Sequence, residues 1–134
     1  MVIVDTCIWS EALRKKTGPD TLVCGTLATL ISDNQTVLLN PIRQEILSGI
    51  KERKTFERIT RQLRPFPGLP LSDQTYELAA ECFNSCRARG VQGSNTDFLI
   101  CAAALQKDYF IFTTDKDFLN YKTVLGIKLF DLRV

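Results

Sequence analysis

Short runs of β-prone apolar residues alternate along this chain with longer segments in which apolar residues recur at helical spacing. The runs predicted as strands cover residues 2–5, 36–39, 109–114 and 127–132. Short apolar strands separated by helices are typical of a parallel sheet that is covered by helices on both faces. The pattern therefore predicts an α/β fold built on a short parallel sheet.

The segments between these runs have the periodicity of amphipathic or buried helices. We predict helices at residues 8–15, 19–33, 41–50, 51–64, 72–89, 95–107 and 115–125, the last as a helix or a turn. The proline-rich stretch RPFPGLPL (64–71) is predicted as a fixed extended connector, too short to link two domains. A chain of 134 residues fits one domain, which we place at 1–134.

Acidic residues follow the predicted strands or begin the helices next to them. Asp5 ends the first strand, Glu45 lies in the helix after the second, and Asp97 begins the buried helix 95–107. Asp115 and Asp117 follow the third strand. Open α/β sheets bind ligands beyond the carboxyl ends of their strands, so these acids are expected to converge at that edge.

The acids at strand and helix ends also have a purely structural interpretation. Asp5 or Thr6 could cap the first helix, and Ser94 with Asp97 has the spacing of a capping box. Asp115 could cap the helix that follows it. Capping explains why an acid is tolerated at each place, but not why several strand ends each supply one.

Carboxylates that converge repel one another, by about 4 kcal/mol for a pair 4 Å apart at an effective dielectric constant of 20. Such a cluster must take up protons or bind a cation. The chain contains no histidine, which excludes imidazole-based acid–base catalysis, Ser–His triads and histidine-ligated zinc. Oxygen ligands alone favour Mg²⁺ or Mn²⁺, and these ions assist chemistry at phosphates.

The motifs around these acids resemble those of one known family. The stretches VDTCIW (4–9), IRQEIL (42–47), NTDFLICAAA (95–104) and TTDKDF (113–118) resemble the PIN-domain ribonucleases, in particular the toxin half of VapBC-type toxin–antitoxin pairs. They occur in the family's order, and the resemblance covers the whole chain. It implies a PIN-like three-layer α/β/α fold with an acidic site at the carboxyl ends of the strands.

The resemblance also implies an activity and a set of site residues. The expected metal ligands are Asp5, Glu45, Asp97 and Asp115, and the further expected catalytic residues are Asp117, Thr6 and Thr113. The implied activity is that of a Mg²⁺-dependent endoribonuclease (with Mn²⁺ as a substitute) in which a water activated by the metal attacks RNA. The implied assembly is a homodimer that a small VapB-type antitoxin inhibits. Asn40 departs from the pattern, since many relatives have a small hydroxyl residue there, and it receives no role.

The segment KERKTFERITRQLR (51–64) combines a strongly basic face with an apolar one. Beside an acidic site RNA still needs phosphate neutralisation, so basic side chains here and near residue 14 are candidate RNA contacts. These are Lys51, Arg53, Lys54, Arg58, Arg61, Arg14 and Lys15. The same surface could meet the antitoxin or be a solvated helix face.

Glu45 also has a purely structural interpretation. Lys51 or Arg43 could pair with it, and Glu45 would then be an ordinary exposed helix residue.

Three other functions remain open at this point. A signalling receiver domain shares the length, the parallel α/β organisation and an acidic Mg²⁺ pocket, but Asp5 stands alone where receivers need an acidic pair. A non-cleaving RNA-binding module would keep the fold with a degenerate site. An RNA-processing PIN nuclease would keep the activity without the toxin role.

Cysteine usage and hydropathy indicate where the protein works. Five cysteines without CxxC spacing favour reduced thiols in a cytosol, and the pair Cys82 and Cys86 makes a poor zinc site without histidine. The longest apolar stretch, residues 98–105, is too short to span a bilayer, and no signal peptide is recognisable. We therefore expect a cytoplasmic protein that does not enter a membrane.

Overall fold

A computed structural model of the chain describes residues 1–14 and 21–132, without the side chain of Arg14. Its strands are β1 (Val2–Val4), β2 (Thr36–Val37), β3 (Phe110–Phe112) and β4 (Lys128–Leu129). All their pairings are parallel, and in the described residues they form one sheet in the order β2-β1-β3-β4. The predicted parallel sheet is confirmed.

Helices make up most of the rest of the described chain. They are α1 (Thr6–Arg14), α2 (Leu22–Ser32), α3 (Asn40–Leu47), α4 (Arg53–Leu63), α5 (Asp73–Ala88), α6 (Asn95–Lys107) and α7 (Asp117–Leu125). The predicted helices are confirmed in these places. The predicted end at residue 15 and the predicted start at residue 19 lie outside the described residues, and other ends shift by a few residues.

The sheet order places helices on both of its faces. The step from β1 to β2 runs to one side of β1, whereas the step from β3 to β4 runs to the other side. Crossovers between parallel strands are right-handed, so the helices of the first step and the helix of the second lie on opposite faces. The packing agrees, since α1 lies against α2 while α5 lies against α6 and α7. The expected three-layer α/β/α architecture is therefore confirmed.

The strands are shorter than the apolar runs that predicted them. Only three residues of β3 and two of β4 pair, although the runs cover 109–114 and 127–132. Leu38, just after β2, instead forms a parallel bridge with Gly68 of the connector 64–71. Helix α1 begins at Thr6 rather than at residue 8, because the Asp5 carbonyl already accepts the amides of Ile8 and Trp9.

Helix α6 is the buried helix that the sequence predicted. Its residues Phe98–Ala104 are all buried, so it lies in the core rather than on its surface. Ser94 caps its start by accepting the amide hydrogen of Asp97, with Asp97 in the first turn. Burial of α6 thus fixes where the Asp97 carboxyl emerges relative to the sheet edge.

Candidate active site

Four acidic side chains line one cavity of about 710 Å³ beyond the carboxyl ends of β1 and β3, here called the acidic cavity. Asp5 follows β1, Asp115 follows β3, Glu45 comes from α3 and Asp97 from α6. The structure therefore brings together the four residues expected as metal ligands. They come from four separate elements, and the parallel sheet makes their proximity possible.

Asp5 is the most deeply buried of these acids, with 6% of its surface exposed. One carboxylate oxygen, Oδ1, accepts the amide of Thr6 at 2.7 Å, and the other, Oδ2, accepts the hydroxyl of Thr113 at 2.8 Å. The Cys7 thiol lies 3.7 Å from the same Oδ2. The backbone carbonyl of Asp5 therefore accepts the first hydrogen bonds of α1, while its side chain is fixed by Thr6, which follows β1, and by Thr113, which follows β3.

The pKa of the Asp5 carboxyl is raised, chiefly because burial penalises the charged form, and the nearby charge of Asp115 adds to this. The hydrogen bonds from Thr113 and Thr6 act in the opposite direction. The pKa of Asp97 is also raised, first by burial and further by the charges of Asp5 and Asp115. The negative charge of Asp115 thus acts on both Asp5 and Asp97, and that of Asp5 acts on Asp97.

Glu45 is exposed on α3 and is held by α1. Its Oε1 accepts the hydroxyl of Thr6 at 2.7 Å. Arg43 does not pair with Glu45, because its guanidinium donates to the backbone carbonyls of Leu63 and Phe66. Thr6 is thus placed to orient Glu45 across the cavity.

Asp97 is held from α7 by the only strongly buried tyrosine of the described chain. The hydroxyl of Tyr121 donates to its Oδ2 at 2.8 Å. Burial raises the pKa of Tyr121, and the hydrogen bond to Asp97 raises it further, so the phenol stays protonated as a donor. Tyr121 was not predicted from the sequence, because nothing in the motifs links residues 24 positions apart.

Asp115 and Asp117 lie at the exposed start of α7. The backbone amide of Asp115 donates to Thr113 Oγ1 at 3.0 Å, and its Oδ1 accepts the amide of Asp117 at 2.9 Å. Asp115 therefore does cap α7, as the structural interpretation expected, while it also lines the acidic cavity. Asp117 is exposed and does not belong to the cavity lining, so its catalytic role stays a prediction.

The donor set of the acidic cavity suits a hard divalent ion. It offers carboxylate and hydroxyl oxygens, the ligands that Mg²⁺ and Mn²⁺ prefer, and the charge of Asp115 raises the pKa of both Asp5 and Asp97. In residues 1–14 and 21–132 no three Asp, Glu or Cys side chains are gathered closely enough to hold one ion as placed. Each acid instead turns an oxygen to a neighbouring donor: Thr113, Thr6, Tyr121 or the Asp117 amide.

Several further residues line the acidic cavity without having been predicted. Gln44 in α3 and Ser48, which directly follows that helix, line the cavity together with Glu45, and Thr96 precedes Asp97. Cys7 lies between Asp5 and the hydroxyl of Thr114, which is 3.4 Å from its sulfur. Helical spacing from Glu45 could have identified Ser48, since i+3 neighbours share a face.

The basic segment is not part of the acidic cavity. None of residues 51–64 lines it. Arg53 forms an exposed ion pair with Glu57 at 2.9 Å, and Arg58 is half-buried and donates to the Leu13 carbonyl and to Gln62. Lys51, Lys54 and Arg61 are exposed. Lys15 and the side chain of Arg14 lie outside the described residues.

Residues that the sequence left without a role are structural. The Oδ1 atom of Asn40 accepts a hydrogen bond from Arg43 Nε at 3.0 Å, and a Cβ atom on Gly68 would overlap the Asn40 side chain. Cys82 and Cys86 are buried in the core, and burial raises the pKa of Cys82 to about 11. They are packing residues rather than ligands.

A parallel α/β sheet with an acidic cavity at the carboxyl ends of its strands is the arrangement that the family resemblance predicted. Comparison with known proteins supports the same family. Residues 2–124 match the sequence profile of the PIN domain. The chain therefore belongs to the PIN-domain family. This assignment favours a nuclease over the receiver-like alternative.

Within that family the chain is similar to VapC ribonucleases. It is 30% identical over 122 residues to VapC ribonuclease Mb1587 of Mycobacterium bovis and to ribonuclease VapC11 of Mycobacterium tuberculosis. The alignment covers 88% of this chain and 89% of each relative.

Solved structures share the fold at lower identity. VapBC2 of Rickettsia felis, solved with a DNA fragment from its promoter, superposes with a TM-score of 0.78 at 18% identity and covers 97% of this chain and 98% of that one. FitAcB of Neisseria gonorrhoeae superposes with a TM-score of 0.77 at 21% identity, covering 98% and 97%. At these identities the two structures support the fold of this chain and nothing further about its function.

Proposed function

We propose that this chain is a Mg²⁺-dependent endoribonuclease and the toxin of a toxin–antitoxin pair. The observation that carries the proposal is the acidic cavity, which four acids from separate elements line and in which the pKa values of Asp5 and Asp97 are raised, chiefly by burial. The 30% identity to proteins named VapC ribonucleases supports the choice of RNA as substrate.

The residues that would hold Mg²⁺ are Asp5, Glu45, Asp97 and Asp115. A bound Mg²⁺ supplies positive charge for the phosphate and lowers the pKa of a water molecule, so that a nucleophile exists near neutral pH. The chain itself keeps the acids in place: Thr113 donates to Asp5, and Thr6 donates to Glu45. Mn²⁺ would substitute, since it has similar ligand preferences.

Substrate RNA would be held by cations outside the cavity. Lys51, Lys54 and Arg61 are exposed and can approach phosphates, whereas Arg53 is paired with Glu57 and Arg58 is turned to α1. Because α4 packs on α3, which carries Glu45, its basic face would guide the RNA strand that leads to the cavity. Arg14 and Lys15 stay predictions.

The partners we propose are a small VapB-type antitoxin and a second copy of the chain. Support for the antitoxin comes from the fold neighbours, which were solved as VapBC2 and as FitAcB, and from the VapC relatives. The homodimer and a cytoplasmic location remain expectations from the sequence. Across the part of the chain that the structure covers, no helix is long and apolar enough to cross a membrane.

The direct test incubates the purified protein with total RNA, with and without Mg²⁺, and maps the cut ends. Cleavage that requires Mg²⁺ and disappears in Asp5→Asn, but persists in the exposed control Asp33→Asn, is the expected result. Full cleavage in excess chelator would overturn the proposal. A gene for a small DNA-binding protein beside this one, together with growth arrest on expression, would separate a toxin from an RNA-processing enzyme.

A further inference from the structure

Tyr121 connects the acidic cavity to the core of the protein. It lies on α7 with none of its surface exposed, and its hydroxyl is 2.8 Å from Asp97 Oδ2. Its ring packs against Phe98 and Phe118, each with a centroid distance of 5.0 Å. The ring is therefore held on two sides, and its hydroxyl reaches an acid that lines the cavity.

The space for this hydroxyl comes from Gly93, in the loop before α6. A Cβ atom on Gly93 would overlap the Tyr121 hydroxyl oxygen and lie 2.8 Å from its Cζ and 3.0 Å from Phe98. The hydroxyl also points to the carbonyl of Gln92, at 3.5 Å. A side chain at position 93 would therefore require either the phenol or the backbone around residue 93 to shift.

We propose that Tyr121 is a positioning residue that holds Asp97 for divalent-ion binding, and that Gly93 is required because it leaves room for the Tyr121 hydroxyl. This inference rests on the proposed function and deepens it. Tyr121 donates to only one oxygen of Asp97, Oδ2, and so fixes the plane of the carboxylate that would bind the ion. Partners that orient a metal ligand in this way affect metal affinity as well as ligand placement.

The hydrogen bond has a specific consequence for Asp97, which is only half-buried and sits in the first turn of a helix. The Ser94 hydroxyl fixes its backbone amide, and Tyr121 fixes its carboxylate. Ser94 also acts on the carboxyl through a side-chain hydrogen bond. Without Tyr121 the carboxylate would keep only that contact with the start of its own helix, and metal binding would have to restrict more of its rotation. The expected loss therefore appears in metal affinity, before any RNA is present.

The test measures Mn²⁺ binding to the RNA-free protein by the loss of the free-ion EPR signal. In Tyr121→Phe, which keeps the ring and its packing, we expect the Mn²⁺ dissociation constant to rise about tenfold, the lower end for partners of metal ligands. The matched control is Tyr76→Phe, which makes the same chemical change on an exposed tyrosine of α5 and should leave the constant unchanged. Thermal unfolding identifies the temperature range in which all variants are folded.

A second variant, Gly93→Ala, perturbs the hydrogen bond between Tyr121 and Asp97 without changing either residue. Gly93→Ala keeps the phenol but crowds it, so it should also weaken Mn²⁺ binding about tenfold. If both variants act through the same hydrogen bond, adding Gly93→Ala to Tyr121→Phe should have little further effect. A purely structural role would lower the melting temperature in both variants without changing Mn²⁺ affinity in the folded protein.

The outcomes separate this inference from the proposed function. Wild-type protein that binds Mn²⁺ but cleaves no RNA would overturn the proposed function, while the binding series still decides the role of Tyr121. Unchanged Mn²⁺ affinity in Tyr121→Phe, with wild-type cleavage intact, would overturn only the role of Tyr121. Failure of the wild-type protein to bind Mn²⁺ would overturn both.

Discussion

The acidic cavity and the basic face of α4 carry opposite charges and are built in different ways. The acids are held by hydrogen bonds from other elements, as Asp5 is by Thr113 and Glu45 is by Thr6. The exposed cations Lys54 and Arg61 stand on long side chains that protrude into solvent from one helix. From this comparison we expect that a function of the cavity depends on exact atomic placement, and that RNA binding by α4 depends mainly on its charge.

This difference decides how each region responds to substitution and to salt. Interactions between exposed charges are largely screened by salt beyond about 8–10 Å at physiological ionic strength. The buried carboxylate of Asp5 cannot be moved to another position, because each of its oxygens accepts a hydrogen bond from a particular residue. We therefore expect large, specific effects in the cavity and small, cumulative effects on α4.

The largest effect is expected from Asp5→Asn. This substitution removes a proposed ligand while keeping the shape of the side chain, so RNA cleavage should fall by more than about 100-fold, beyond the loss usual for residues that only support a ligand. Initial rates of cleavage of a defined RNA at saturating Mg²⁺ measure it. Asp33→Asn is the matched control, and a rate within a few-fold of wild type in Asp5→Asn would show that the cavity is not the active site.

A smaller effect is expected from Thr113→Val, which has nearly the same shape but no hydroxyl. Thr113 Oγ1 donates to Asp5 and accepts the amide of Asp115, so its loss should lower the rate about tenfold through both acids. Thr113→Ser restores the hydroxyl and should recover most of the rate. If Val and Ser variants behave alike, the hydroxyl does not position the acids.

The basic face should give the smallest effect on cleavage. Replacing Lys54 or Arg61 by Ala should weaken binding of a single-stranded RNA by a few-fold each and lower the slope of log affinity against log salt by about 0.7 for each phosphate that is no longer neutralised. Lys54→Arg should behave as wild type. The measurement is fluorescence anisotropy with the inactive Asp5→Asn protein at several salt concentrations, and an unchanged slope would place the RNA on another surface.

The pH dependence of stability provides a test that needs no RNA. The folded-state pKa values of Asp5 and Asp97 are raised above those of the unfolded chain, so their contribution to stability is present at low pH and lost as pH rises through the folded values. In metal-free protein, Asp5→Asn should therefore melt higher than wild type near pH 7, with the difference shrinking on acidification. Melting curves between pH 4 and 8 give the sign, and a difference that grows on acidification would contradict it.

Much of the fold and the set of acids could be predicted, because both depend on local sequence. Helix α6 was predicted with its observed bounds, since apolar residues surround it and Ser94 precedes it. The predicted lengths of β3 and β4 were too long, because the extent of a strand is set by hydrogen bonding to its neighbouring strands and not by the apolar character of its residues. Side chains that reach carbonyls or acids far along the chain, such as Arg43 and Tyr121, leave no local signal.

The basic segment shows the same limit on the surface. Its helical period and charge identified α4, but the sequence could not show that Arg58 donates to Leu13, 45 residues earlier, and is thereby removed from the exposed cations. Likewise, the acids were recognisable at strand ends, whereas the hydrogen bonds that orient each of them depend on the folded arrangement. Residue type and position were predictable, as was the local pair of Ser94 and Asp97, whereas hydrogen bonds between residues far apart in the sequence were not.

The most direct test of the central claim measures divalent-ion binding and RNA cleavage in the same Mn²⁺ titration. If the acidic cavity holds the ion that cleavage requires, the Mn²⁺ concentration dependence of the rate will follow that of occupancy measured by EPR with saturating non-cleavable RNA, and both will be lost in Asp5→Asn. Cleavage that persists in excess chelator, or Mn²⁺ binding that survives in Asp5→Asn with wild-type affinity, would contradict the account.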